Sequence, residues 1–416
     1  MSDTSAVEQR VLGAVDDGRL TRLLQDMVRQ KSYSNTPGEG ALARWLGAYL
    51  TRLGLTVTHQ EVAADRLNTI ATLRGTAGGP EPRRARFMLN GHIDTNMAGL
   101  GWTHDPWAGD VEDGHIFGIG VSNMKAADAA MIEAANALVD AGVRLAGDLI
   151  VALVIGELQG GVGTVHMLDQ GVRADHFIVG EPTDLSLLTL HAGAYDAEIH
   201  VYGETRHLSK MEEGVNAIEM ACDVIGALNG LGFSGATRED YRGLQRINVG
   251  VIRGGMGDEF LEWRTPSLPD HCMIRVAGRY APGQTPAGAV ADIQAMLDRL
   301  RAHHPRLKAT ASLVATTQKQ AMGPFEVDPR HPFVQEVRRL HRLVRGTEPT
   351  IGDVPPYKFY GTDAAHLAER GGMLGVVYGP GGKFNTMPDE RVALADLFAA
   401  ARVYALAALR TCGVTP

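Results

Sequence analysis

The sequence predicts an α/β protein: a mostly parallel sheet flanked by helices, with a small ferredoxin-like α+β domain inserted into it. Three observations carry this. Short apolar runs end in glycine or polar residues and alternate with helix-spaced segments along the 416-residue chain, as strands buried on both faces do. Near residue 195 the periodicity changes to two, that of a half-buried antiparallel strand. From Pro332 onward the first pattern returns. The expected domains are therefore a discontinuous α/β domain, residues 1–194 and 319–416, and an inserted domain, residues 195–318.

In order, residues 7–31 place Val11, Leu12, Val15, Leu20, Leu23, Leu24, Met27 and Val28 at helical spacing. A second helix follows "SNTPGEG", with Leu42, Trp45, Leu46, Tyr49, Leu50 and Leu53 as its stripe. The runs "TIATL", "RFMLN", "LIVALVI", "HFIVG" and "GVVYG" read as buried parallel strands. In the insert come "YDAEIHVYGET", a helix over 215–229, "QRINVGVIRGG", "HCMIRVAGRY", a helix over 286–302 and "LKATASLVAT". Strand–helix–strand–strand–helix–strand is the split βαβ arrangement.

Composition removes several function classes. Lys and Arg total 40 against 48 Asp and Glu, a net charge of −8, which is no basic nucleic-acid footprint. The cysteines Cys222, Cys272 and Cys412 are far apart; they exclude a disulfide framework and a cysteine zinc site, and read as core. No run reaches the ~18 apolar residues of a membrane span, and the first residues lack a signal-peptide apolar stretch. A cytoplasmic protein with no nucleic-acid or membrane partner is expected. Glycine, at 50 residues, exceeds the usual ~7%, which means many tight loops, where sites are built.

In open α/β sheets ligands sit at the carboxyl ends of the strands. In "FMLNGHIDTN", His92 and Asp94 follow such a run. Side chains at i and i+2 face the same way, so Asp94 is placed to orient His92 as the partner of a metal ligand does; a His–Asp pair satisfying a loop fits equally well. "LIVALVIGELQGG" ends on Glu157, either a loop residue or a general base with a raised pKa. "FIVGEPTDL" repeats the device with Glu181. "GVVYGPGGKFNTMPDE" contains Gly379, Gly381 and Gly382, either a plain turn or backbone that lets an anion approach closely.

Taken together these segments resemble the M20 metallopeptidase family, the group of aminoacylase, acetylornithine deacetylase, succinyl-diaminopimelate desuccinylase and carboxypeptidase G2. The resemblance covers nearly the whole chain: "NGHIDT…GWTHDPWAGDVEDGHIFGIGVSNMK", "GEPT", "RHLSKMEEGVNAIEMA", "RINVGVIRGG", "VAGRYAPGQT", "GTDA" and "GPGG…PDE" stand in the family's order. It implies a catalytic α/β domain and a ferredoxin-like lid that makes a homodimer or higher homo-oligomer. It makes His92 and Glu181 metal ligands, Asp94 the partner of His92, and Glu157 the general base. It gives His207 to the oxyanion, and Arg279, Asn248, Gly379 and Gly381 to a substrate carboxylate, Arg279 by a bidentate fork.

Three positions depart from the family pattern. Asn123 stands in "SNMK" for the bridging Asp of D-M-K, Leu158 in "GEL" for a second Glu, and Thr386 two residues before "PDE" for a His. All three weaken the same ion. The chain is therefore expected to bind one divalent ion, Mn²⁺ or Zn²⁺, on His92 and Glu181 with Asn123 as a weak third ligand. The expected function is hydrolysis of a C–N bond in a small carboxylate-bearing substrate. The alternatives are hydrolytic deamination of an amino-aromatic acid such as 5-nitroanthranilate, and ligand binding on an inactive scaffold. His104, His115, His166, His191 and His366 read as loop or core residues, though His191 and His366 lie near motif segments; Tyr357 and Tyr360 precede "GTDA" and could approach the metal.

Overall fold

The computed structural model describes residues 5–76, 85–314 and 321–415. Two compact units emerge: Met1–Leu190 with Gln318–Lys358 and Thr362–Pro416, and His191–Thr317 with Phe359–Gly361. The junction expected between residues 318 and 319 lies outside the described residues.

The first unit carries an eight-stranded sheet in the order Thr56–Ala63, Arg66–Leu73, Leu149–Val154, Phe87–His92, His176–Val179, Leu374–Val377, Leu187–Leu188, Ile351–Gly352. Its centre is parallel: Phe87–His92 lies between Leu149–Val154 and His176–Val179, and the last of these pairs with Leu374–Val377. Phe87–His92 and Leu149–Val154 are buried at every residue, as strands covered on both faces must be. The alanine-rich helices Ala126–Asp140 and Leu394–Cys412 pack together and share one apolar core with Phe87, Leu89, Leu149 and Val151.

Three expectations need correction here. The "TIATL" run belongs to Arg66–Leu73, which pairs antiparallel with both its neighbours. It is joined to Thr56–Ala63 by a tight turn, and a connection that short cannot return a strand in parallel. Residues 7–31 form two helices, Ala6–Ala14 and Asp17–Val28. Asp16 breaks the run: its carboxylate accepts the Arg19 N–H at 2.8 Å and caps the second helix. The apolar spacing survives the break because both helices face the same core. Finally, Cys222 is exposed, while Cys272 and Cys412 are buried.

The second unit is an antiparallel sheet ordered Arg246–Gly255, His271–Tyr280, Gly193–Tyr202, Lys308–Leu313. Helices Ala217–Leu228 and Pro286–His303 cover one face, packing on Tyr195, Ala197, Ile199, Val201, Ile274 and Val276. Chain order and sheet order together are those of the split βαβ fold. Residues 315 and 316, the end of "LKATASLVAT", lie outside the described residues.

Candidate metal centre

The carboxyl ends of the parallel strands in the first unit bring His92, Glu157 and Glu181 together. One ligand atom from each lies within 4.8 Å of the others, and all three residues are buried. His92 closes its strand at 1% exposure. Its Nε2 is 3.5 Å from Glu181 Oε1, 3.9 Å from Glu157 Oε2 and 2.8 Å from Asn123 Oδ1. The sequence-predicted Asn123 is thus beside the His92 nitrogen that would face an ion. The other ring nitrogen, Nδ1, is 2.9 Å from the backbone carbonyl of Asp94 and 3.3 Å from its carboxylate. The carbonyl is the closer partner, and the carboxylate lies beside the same ring nitrogen. The Asp94 carboxylate also accepts the N–H of Glu157 at 3.1 Å and of Leu158 at 3.3 Å.

Glu157 begins a short 3-10 turn, Glu157–Gln159, entered through Gly156 at φ 67°. A side chain there would be strained in φ and would meet the Val162 methyl at 2.4 Å. Beyond Asp94, the turn is held by Glu39. That carboxylate is 0% exposed, accepts the Gly156 N–H at 3.1 Å and is clamped by the Arg66 guanidinium through Nε and, at 3.0 Å, Nη2. Arg66 Nη2 also donates to Gln159 Oε1 at 2.6 Å. His366 supports the far end, its Nε2 lying 2.8 Å from the Gly160 carbonyl. His366 is therefore a brace for this turn.

Burial pushes the Glu157 carboxyl well above the usual carboxylate range, and the Glu181 charge adds to it. Burial likewise pushes Glu181 up to about 7. Burial alone would lower His92, but the Asp94 hydrogen bond and the Glu181, Asp94 and Glu157 charges outweigh it and raise His92 well above its ordinary value. Asp94 goes the other way: burial is outweighed by the His92 hydrogen bond and charge, so its carboxyl stays low. A buried set of carboxylates around one imidazole is short of positive charge. One nitrogen and several oxygen donors suit a borderline-hard divalent ion, so these residues fit a metal.

Sequence reasoning missed four supporting groups. Asp363 in "GTDA" is 1% exposed, and its charge helps to raise Glu157 and Glu181; its Oδ1 has no hydrogen-bond partner among the described residues. The motif was visible, but nothing in it named a role. Asp128, on the helix Ala126–Asp140, is fully buried with neither oxygen hydrogen-bonded among the described residues; burial raises its pKa well above the ordinary value. The Glu39–Arg66 pair, 27 residues apart, left no local signal. Glu390 of "PDE" accepts the N–H groups of Gly120, Ser122 and Asn123 at 3.2, 2.8 and 3.0 Å, and so holds the loop that presents Asn123.

The remaining expected residues are placed as follows. Gly379 N–H donates to Thr183 Oγ1 at 3.2 Å. A Cβ at Gly379 would stand 2.0 Å from the Gly180 carbonyl and 2.6 Å from that of Glu181. The close packing on the Glu181 segment leaves no room for a side chain at 379. Gly381, at φ 75°, accepts the Asp184 N–H at 2.6 Å through its carbonyl. Leu158 is partly buried, and Thr386 is exposed with its hydroxyl donating to Asn385 Oδ1 at 2.6 Å. Tyr357 donates its hydroxyl to Asp184. In the second unit, Arg279 Nε donates to the Phe359 carbonyl at 2.8 Å and Nη1 to that of Gly278 at 3.1 Å. Asn248 is exposed on the edge strand Arg246–Gly255. His207 is exposed, its Nδ1 accepting the Ser209 N–H at 3.2 Å, and His191 is buried with Nδ1 2.9 Å from the Ala192 carbonyl.

The profile of Peptidase family M20/M25/M40 matches residues 88–410. The chain belongs to this family. It is 28% identical over 393 residues to N-formyl-4-amino-5-aminomethyl-2-methylpyrimidine deformylase of Bacillus subtilis, covering 87% of this chain and 86% of that protein. It is also 28% identical over 361 residues to acetylornithine deacetylase of Myxococcus xanthus, covering 85% and 86%. Among solved structures, aminopeptidase PepT of Bacillus cereus superposes with a TM-score of 0.75 at 20% identity, covering 96% of this chain and all of that one. An M20 metallo-carboxypeptidase of Sulfolobus solfataricus superposes with a TM-score of 0.72 at 16% identity, covering 94% and 98%. This M20 protein is a metal-dependent hydrolase. Among the described residues, no helix is long and apolar enough to cross a membrane.

Proposed function

We propose that this M20 enzyme hydrolyses an amide bond in a small carboxylate-bearing substrate, using one divalent ion, Mn²⁺ or Zn²⁺, per subunit. The supporting observation is the convergence of His92, Glu157 and Glu181 within 4.8 Å, in a chain where Asn123, Leu158 and Thr386 stand at positions the family fills with charged or imidazole ligands. His92 Nε2 and Glu181 hold the ion, with the Asn123 amide oxygen as a neutral third donor. The bound ion supplies positive charge that polarises the scissile carbonyl and acidifies water.

Glu157 does the proton work. Its carboxylate takes a proton from the attacking water as the C–O bond forms, then returns it to the departing nitrogen as the C–N bond breaks. Burial supports this by bringing its pKa toward the working pH. Asp94 fixes the His92 ring through its carbonyl and the base through its carboxylate. Arg279 and Asn248 serve the substrate carboxylate and His207 the oxyanion. The edge strand Arg246–Gly255 leaves Val251 40% and Ile252 48% exposed, and with them the lid unit forms a homodimer. The enzyme works in the cytoplasm.

The test has two parts. Metal analysis of protein purified without chelator should find one ion per chain; two, or none, would overturn the single-ion reading. Glu157→Gln should lose about 10²–10⁴-fold in kcat while keeping its metal, and retained activity would remove Glu157 from the mechanism. Ammonia release from 5-nitroanthranilate without turnover of any N-acyl amino acid would replace the amide reading with deamination.

A further inference from the structure

One cavity, about 630 Å³, opens around Thr58, Gln60, Thr72 and His166, and none of the buried donors lines it. A smaller one is tied to them through Glu390. It measures about 190 Å³, and its walls include Met97, Leu100, Trp102, Ile119, Met387 and Glu390. Three of these apolar side chains are unusually open: Leu100 is 97% exposed, Met97 76% and Met387 45%. Large apolar side chains grouped around a concavity mark a place for an apolar ligand group.

Two hydrogen bonds link a wall of this cavity to the metal centre. Glu390 accepts the Asn123 N–H at 3.0 Å, and Asn123 Oδ1 is 2.8 Å from His92 Nε2. Asn96, also in the lining, follows Asp94 by two residues. Nor is the cavity a loose gap between loops. The Asp389 carboxylate accepts Thr103 N–H at 2.8 Å, Thr103 Oγ1–H at 2.7 Å and His104 N–H at 3.0 Å. That carboxylate pins the loop carrying Met97, Leu100 and Trp102 against the turn carrying Met387. Size then limits the occupant. An apolar cavity of about 150 Å³ accepts a benzene ring, so this one admits a single ring or a branched aliphatic group and no more.

We propose that this pocket receives an apolar, ring-sized substituent of the substrate, so that the enzyme selects amides carrying an aromatic or branched aliphatic group. The proposal rests on the amide-hydrolase reading for its kinetics, and on the pocket alone for its binding. The kinetic test compares kcat/KM for N-acetyl-L-phenylalanine and N-acetylglycine in the metal-loaded full chain. The ratio should be at least about tenfold, and Leu100→Ser/Met387→Ser should reduce it by about tenfold. Leu100 is almost wholly in solvent and Met387 nearly half so, and neither belongs to the buried core, so the variant keeps its fold. A ratio near one, or one that the double variant leaves unchanged, overturns the proposal. The binding test titrates phenylacetate and acetate and follows Trp102 fluorescence, with Trp102→Phe as the control. A Trp102-dependent change with phenylacetate alone supports the pocket, even where neither amide is turned over and the amide reading has failed. No such change overturns the pocket whatever the kinetics show.

Discussion

Replacing Arg66 with Met isolates what the buried Glu39–Arg66 pair contributes. Glu39 is 0% exposed and Arg66 9%. The carboxylate accepts the two Arg66 donors and the Gly156 N–H. Arg66→Met strands that charge with one neutral N–H for company. Breaking a buried ion pair from one side costs about 3–5 kcal/mol, and the loss falls in the turn that presents Glu157. Removing both charges, in Glu39→Leu/Arg66→Met, takes away the stranded charge and should return stability to within about 1–2 kcal/mol of the parent. Activity should not return with it, because Gly156 has lost its acceptor and Gln159 its donor. Urea denaturation of the two variants gives the stabilities, and kcat on a cleaved N-acyl amino acid gives the activity. A double variant as unstable as Arg66→Met would refute the stranded-charge account. One with full activity would refute the positioning of Glu157 by this pair.

Two further outcomes follow from the same site. Burial holds Glu181 at about 7, and the Asp94 hydrogen bond and the surrounding carboxylates raise His92 against burial; both ligands must shed protons before they bind a cation. Metal affinity should therefore rise with pH through the range around 7, by about tenfold per unit for each proton released. Isothermal titration with Mn²⁺ between pH 6 and pH 8 checks this, and a flat profile would contradict it. Asn123→Asp/Leu158→Glu/Thr386→His supplies the three donors that the single-ion reading counts as missing. Metal analysis of that variant should find a second ion per chain; one ion only would show that other residues limit the site.

The strand ends were legible because their signals are local. A run of apolar residues followed by Gly91 and His92, or by Gly156 and Glu157, shows in the sequence where a buried strand delivers a polar side chain. The direction of the Arg66–Leu73 strand was hidden, since its apolar pattern does not distinguish parallel from antiparallel pairing; only the short connection to Thr56–Ala63 decides it. The break at Asp16 was hidden in the same way, because two helices on one core preserve one periodicity. What braces the site was least legible. Glu39 with Arg66, His366 with the Gly160 carbonyl, and Glu390 with the 120–123 loop meet only after the chain has folded. At Gly379 a packing constraint was hidden as well: the Gly180 carbonyl leaves no room for a side chain.

Asp94 touches His92 through its carbonyl and the Glu157 turn through its carboxylate. One residue therefore sets the spacing between the His92 ring and the Glu157 turn. Asn123 meets the same ring from the other side, at Nε2. A change at position 123 can therefore alter what faces Nε2 while both Asp94 contacts keep the Glu157 turn in register with His92.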